Sequence, residues 1–253
     1  MAEPIRILTA VPICDGHDSA INTINLEFIR HGIEVVYLGY HRSARDIVRA
    51  AIQEGVRAIG ISSYNGGHVE FFAEVIALLK KQRASHIGVF GGGGGTITKR
   101  DATIMRRKSV ARIFFAGEPL AEIVNFVKST YGKARTIGDG KHPRFNSAPA
   151  RARAQRSKPL NVQCSPRIIG ITGPGGAGKT TLVDELVLRW LRVQPDARIA
   201  ILSHDPSIIG KGALLGDRAT MIHSQDDRVF MRSPPRVGAR ADSRQNLDAG
   251  CAR

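Results

Sequence analysis

The chain has 253 residues, with 37 Lys and Arg against 22 Asp and Glu for a net charge of +15, 42% hydrophobic residues and three cysteines. That length supports one large core or two smaller ones, no apolar run reaches the roughly 18–20 residues that span a bilayer, and Cys14, Cys164 and Cys251 are too scattered for a disulfide framework. Membrane and disulfide-scaffold classes are excluded, and an N-terminus without a signal-peptide pattern makes the expected location cytoplasmic.

Residues 3–131 alternate short β-rich runs with helical patterns. The runs are IRILTAV (5–11), EVVYLGY (34–40), AIGISSY (58–64), HIGVFGG (86–92) and ARIFFAG (111–117). Between them, HVEFFAEVIALLKK sets Val69, Phe72, Ala73, Ile76 and Leu79 on one helical face, and PLAEIVNFVKSTYG opens at Pro119 and closes at Gly132. Five such strands predict an α/β domain with a flavodoxin-like, five-stranded parallel sheet, which binds ligands at its carboxyl ends where strand order reverses.

Residues 132–165 read as a basic flexible linker. Residues 132–159 hold eight Lys/Arg against one acid, and the tail 233–253 holds four against two, so the two segments account for +9 of the +15. Such a linker attracts polyanions without specificity. Phe145 is the single aromatic residue interleaved there, too few for a base-stacking platform, so no specific nucleic-acid partner is expected.

Residues 166–232 begin a second α/β unit: a predicted strand RIIGI, the loop GPGGAGKTT, a helix, and a further strand in RIAILSHDP (198–206). The loop matches G-x-x-x-x-G-K-[ST] through Gly173, Gly178, Lys179 and Thr180, with Gly175, Gly176, Ala177 and Thr181 completing the phosphate-binding stretch. Its glycines let backbone N–H groups close around phosphate oxygens at a helix N-terminus. Lys179 would neutralise the β- and γ-phosphates and Thr180 would ligate magnesium. No NKxD element follows residue 180, and Asp205 and Asp217 are the acids that could serve a magnesium ion. Residues 233–253 show neither period, so the second fold reads as started and not finished, a partial P-loop domain before a non-family tail.

The stretch PICDGHDSAI (12–21) offers Cys14, Asp15, His17 and Asp18 directly after the first strand. A closed zinc site needs a second ligand pair, and the first 131 residues supply none at suitable spacing. What does gather at the same sheet edge is ISSYNGG after the third strand and the five glycines Gly91, Gly92, Gly93, Gly94 and Gly95 after the fourth. Consecutive glycines are entropically expensive, which suits a bulky ligand lying against bare main chain, with His17 presented beside it.

These residues resemble the cobalamin-binding domain of adenosylcobalamin-dependent mutases. The resemblance implies His17 as lower cobalt ligand in place of the cofactor's own base, Asp15 as its orienter, and Ser62 or Ser63 with Gly91 to Gly95 lining the channel for the cofactor's nucleotide tail. Two positions depart from the usual pattern: Ala20 stands for the last glycine of D-x-H-x-x-G, and Tyr64 for the leucine of S-x-L. The second half, with GPGGAGKTT, DPS and GALLGDR, is similar to the G-protein chaperones of acyl-CoA mutases. The order of the parts resembles the fused isobutyryl-CoA mutase family, which carries a cobalamin domain, a G domain and a substrate-binding barrel. That resemblance implies adenosylcobalamin, GTP and magnesium as cofactors, with Thr180, Asp205 and Asp217 at the magnesium. It further implies homodimerisation of the full-length proteins, and an acyl-CoA substrate reached only through a barrel that is missing here. No catalytic residue for the mutase step is expected in this chain. The alternative reading is a corrinoid-carrier module of a methyl-transfer system; a nucleotide-dependent regulator is a third.

Overall fold

The structure is a computed structural model that describes residues 4–13, 15–132, 167–204 and 212–233. Five parallel strands follow one another with helices between: β1 (Arg6–Ala10), β2 (Glu34–Tyr37), β3 (Ala58–Ser62), β4 (Gly88–Gly92) and β5 (Arg112–Phe114). The helices are α1 (Ser19–Arg30), α2 (Ala44–Glu54), α3 (His68–Lys81), α4 (Lys99–Arg107) and α5 (Leu120–Tyr131). β1 is buried along its whole length, as a strand covered on both faces must be. Local signals stop the helices where expected. The Ser43 hydroxyl accepts from the Asp46 N–H to start α2, and Gly55 ends it in the left-handed region at φ 64°. Thr98 and Asp101 form a capping box at α4.

The second part contributes α6 (Lys179–Val193), β6 (Ile199–Leu202), β7 (Ala213–Leu215), α7 (Asp217–Thr220), a 3-10 turn at Ile222–Gln225 and β8 (Val229–Arg232). Two expectations need correction here. The sheet is six-stranded, in the order β5-β4-β3-β1-β2-β7, because β7 from beyond the phosphate loop pairs in parallel with the open edge of β2. The predicted strand before the loop does not form: residues 167–171 pair with no strand among the described residues and leave Ile168 75% and Ile169 63% exposed. The only other sheet among the described residues is the β6–β8 pair, which residues 167–171 do not join.

Two apolar layers sandwich the sheet. On one face Ile47, Val48, Phe72, Val75 and Met105 of α2, α3 and α4 pack on Leu8, Val36 and Ile59. On the other, Phe28 of α1 and Ile123, Val124 and Val127 of α5 pack on Ile7, Val35, Phe90 and Phe114. β2 lies on one side of β1 and β3 on the other, so strand order reverses between β1 and β3 and opens a crevice at their carboxyl ends. Among the described residues, no helix is long and apolar enough to cross a membrane.

The added edge strand is held by a buried charge cluster. Arg218 donates from Nε to Glu54 Oε1 at 2.7 Å, and from its terminal nitrogen to Gln53 Oε1 at 2.7 Å and to the Met231 carbonyl. The Ser233 N–H donates to Glu54 Oε2 at 2.9 Å, while Arg6 donates to Glu34 at 2.8 Å and to the Ser233 carbonyl at 2.7 Å. The side chains of Arg218 and Glu54 are 1% and 0% exposed. Burial pulls the Arg218 guanidinium pKa below its usual value, and the Glu54 carboxylate pushes back.

Candidate functional site

The crevice between β1 and β3 gathers three loops. The first carries Asp15 and His17, and Asp15 is fully buried. Its Oδ1 accepts from the His17 backbone N–H at 3.0 Å and sits 2.8 Å from His17 Nδ1; its Oδ2 accepts from the Tyr64 N–H and, at 3.2 Å, from the Asn65 N–H. Burial raises the Asp15 pKa, but these N–H groups, Tyr64 first, outweigh it and the carboxyl falls below its usual value. An ionised carboxylate only accepts, so Nδ1 carries the proton and the lone pair of His17 is left on Nε2. The His17 side chain is 61% exposed. Asp15, with both oxygens engaged, is no metal donor, and among the described residues no group of three His, Cys, Asp or Glu side chains gathers for an ion. Cys14 lies outside the described residues. The arrangement is a single imidazole oriented by a buried carboxylate, the pattern that fixes tautomer and raises basicity in metal-ligating histidines.

At the same sheet edge a cavity of about 180 Å³ runs between the sheet and the α1/α5 layer. Ile21, Ile24 and Phe28 of α1, Gly60 and Phe90 of the sheet, Leu120 and Ile123 of α5, together with Ala20, Ser62 and Gly91 to Gly94, form its walls. Its volume lies below the roughly 300–1,000 Å³ of drug-sized pockets, so it has room for a small ring system. Ser62 faces this cavity, whereas Ser63 does not line it: it is buried, with its hydroxyl 3.4 Å from the Asn65 carbonyl.

The glycine run has a second cause that its sequence did not reveal. A Cβ on Gly91 would lie 2.3 Å from the Ile61 carbonyl oxygen, one on Gly92 2.8 Å from that of Phe114, and one on Gly93 2.0 Å from that of Ser63. At Gly94 it would meet the Tyr64 ring at 2.6 Å. The loops at this edge therefore need glycine for their own packing as well as for an apolar slot. Gly95 is open but adopts φ 99°, which disfavours other residues.

The second candidate site is the loop before α6. Gly176 and Gly178 adopt φ 76° and 75°, and a Cβ built on Gly175, Gly176 or Gly178 meets nothing within 4 Å, so the loop borders open space. Gly173 adopts φ 155° and, with Ala177, belongs to the same exposed loop. Lys179 Nζ donates to the Pro174 carbonyl at 2.7 Å, folded back over the loop. The Thr180 hydroxyl lies 3.4 Å from Asp217 Oδ1, and the Ser203 hydroxyl donates to Asp217 Oδ2. Thr180 and Asp217, 37 positions apart, are thus brought together; Asp205 lies outside the described residues, and Thr181 is exposed on the first turn of α6. Ser203 was missed because a lone serine at a strand end carries no signal. The Asp184–His223 pair was also missed: Asp184 accepts from the His223 N–H at 2.9 Å and lies 3.0 Å from its Nδ1. The i, i+4 spacing of Thr180 and Asp184 was the available clue.

Comparison with known proteins bears on both sites. Residues 5–146 match the sequence profile of the B12 binding domain. The chain belongs to the B12-binding domain family. Residues 132–247 of this B12-binding chain match the profile of the methylmalonyl-CoA mutase-associated GTPase MeaB. The fused isobutyryl-CoA mutase of Geobacillus kaustophilus is 38% identical over 263 residues, covering 90% of this chain and 24% of that protein. That of Cupriavidus metallidurans is 37% identical, covering 92% and 23%. The 2-hydroxyisobutanoyl-CoA mutase small subunit of Aquincola tertiaricarbonis is 30% identical over 126 residues, covering 50% of this chain and 91% of that one. The chain spans about a quarter of the length of the fused mutases it matches. It joins a cobalamin-binding part to a GTP-binding part in one polypeptide.

Proposed function

We propose that the chain is the cobalamin- and GTP-binding portion of an adenosylcobalamin-dependent acyl-CoA mutase of the isobutyryl-CoA or methylmalonyl-CoA type. The observation that carries this reading is His17: its Nδ1 is tied to buried Asp15 at 2.8 Å, and its side chain is 61% exposed at the sheet edge whose glycines line an apolar slot. Asp15 would hold the tautomer, His17 would ligate the cobalt, and the slot between α1 and α5, lined by Ser62 and the glycines, would hold the displaced base. When bound, adenosylcobalamin supplies a cleavable cobalt–carbon bond for a radical carbon-skeleton rearrangement.

In the second part, Lys179 leaves the Pro174 carbonyl to meet the phosphates of GTP. Thr180 and Asp217 would hold magnesium, with Asp205 as a further ligand, and nucleotide turnover would gate cofactor loading. The acyl-CoA substrate meets the cofactor through residues outside this chain, in a cytoplasmic homodimer.

The test is the visible spectrum after adding hydroxocobalamin to the wild-type chain and to His17→Ala. The wild type is expected to give a base-off, histidine-ligated spectrum that His17→Ala loses; identical spectra would remove His17 from its role. Lys179→Ala is expected to abolish binding of a fluorescent GTP analogue, and undiminished binding would refute the nucleotide reading.

A further inference from the structure

The aromatic ring of Tyr64 stands where the resembling stand-alone pattern has a leucine, and three contacts tie it to the cobalt-ligand loop. Its ring centroid lies 4.7 Å from that of His17, tilted by 38°, within the range in which aromatic rings attract. Its backbone N–H donates to Asp15 Oδ2, the carboxylate whose other oxygen faces His17 Nδ1. The ring also lies close to Gly94, where a Cβ would come within 2.6 Å of it.

An imidazole bonded only through Nδ1 still swings about that bond and about χ2, which is a broad torsion. A ring packed against its face removes that freedom. The Tyr64 ring also lies against Gly94, which limits how far it can turn on that side. Its side chain remains 43% exposed and lines no part of the slot, so it acts on the histidine from the edge and not on the tail from within. We infer that Tyr64 is a positioning residue for His17, holding the imidazole plane so that Nε2 points at the cobalt, with Gly94 kept bare to seat the phenol ring. This rests on the reading of His17 as cobalt ligand.

The experiment uses the full chain as wild type, Tyr64→Phe, Tyr64→Leu and Tyr64→Ala, each also in the His17→Ala background. In cofactor-free protein, the ring-proton resonance of His17 should move downfield in Tyr64→Ala and Tyr64→Leu, as the ring current is lost, and stay in place in Tyr64→Phe. Titration with hydroxocobalamin should weaken about three- to ten-fold in Tyr64→Ala, the effect of losing one aromatic pair, and stay within about two-fold in Tyr64→Phe. The histidine-ligated fraction should fall in parallel. In the His17→Ala background the Tyr64 substitutions should add less than about two-fold. Equal weakening in both backgrounds would mean that Tyr64 touches the cofactor directly, and would overturn the inference; so would an unmoved His17 resonance. If His17→Ala alone changed nothing, the ligand reading would fall by itself, while the resonance comparison would still decide whether Tyr64 holds the ring. Tyr64→Leu keeps the backbone N–H and an apolar side chain, and decides the matter if Tyr64→Ala does not fold.

Discussion

The substitution Glu54→Ala tests whether the second part of the chain is bound to the first through charge. Glu54 is the counterion of Arg218, and its removal leaves a guanidinium 1% exposed with only neutral partners, Gln53 and the Met231 carbonyl. It also strips the acceptor from the Ser233 N–H and removes a carboxylate 3.6 Å from Arg6, although Arg6 keeps Glu34. Breaking one side of a buried pair costs about 3–5 kcal/mol. At about 2–4 °C per kcal/mol for a chain of this size, the melting temperature should fall by about 6–20 °C. Far-UV circular dichroism reads the six-stranded sheet, and the fluorescence of Trp190, the single tryptophan, reads α6. The pair replaced together, Glu54→Met with Arg218→Met, should lose much less than either single change, since apolar groups of similar volume fill such sites at little cost. A Glu54→Ala loss below about 1 kcal/mol, within the range of an exposed pair, would refute a buried charge at this junction.

Gly93→Ala should destabilise by about 1–3 kcal/mol in urea unfolding, because its methyl would sit 2.0 Å from the Ser63 carbonyl oxygen and 3.0 Å from Ile97; an unchanged midpoint would show that the loops are not packed this closely. Asp226, held down to about 2 from 3.8 chiefly by the hydrogen bond from Arg228, supplies stability that is complete above pH 4 and is lost as pH falls through 2. Asp226→Asn should therefore flatten the stability profile between pH 4 and pH 2 while leaving its shape above pH 5 intact, as read by denaturation at each pH.

Local pattern was enough for the first five strands, the α5 boundaries at Pro119 and Gly132, and the presentation of His17 after β1. Alternation and helical spacing are properties of neighbours in the chain, and a β-rich run followed by an amphipathic helix favours a covered parallel strand. The phosphate loop was equally legible, since its glycines and Lys179 act within nine consecutive residues. Packing across the chain decided the rest. Ile168 and Ile169 stay exposed although a helix follows them, so an apolar run becomes a strand only when it actually pairs with a partner edge. β7 found such an edge on β2, and Arg218 found Glu54 across 164 positions, pairings for which no short window of sequence holds a signal. The same holds for the glycine run. Composition pointed to a ligand against bare backbone, whereas only the folded edge revealed that the carbonyls of Ile61, Ser63 and Phe114 already occupy the space a side chain would need.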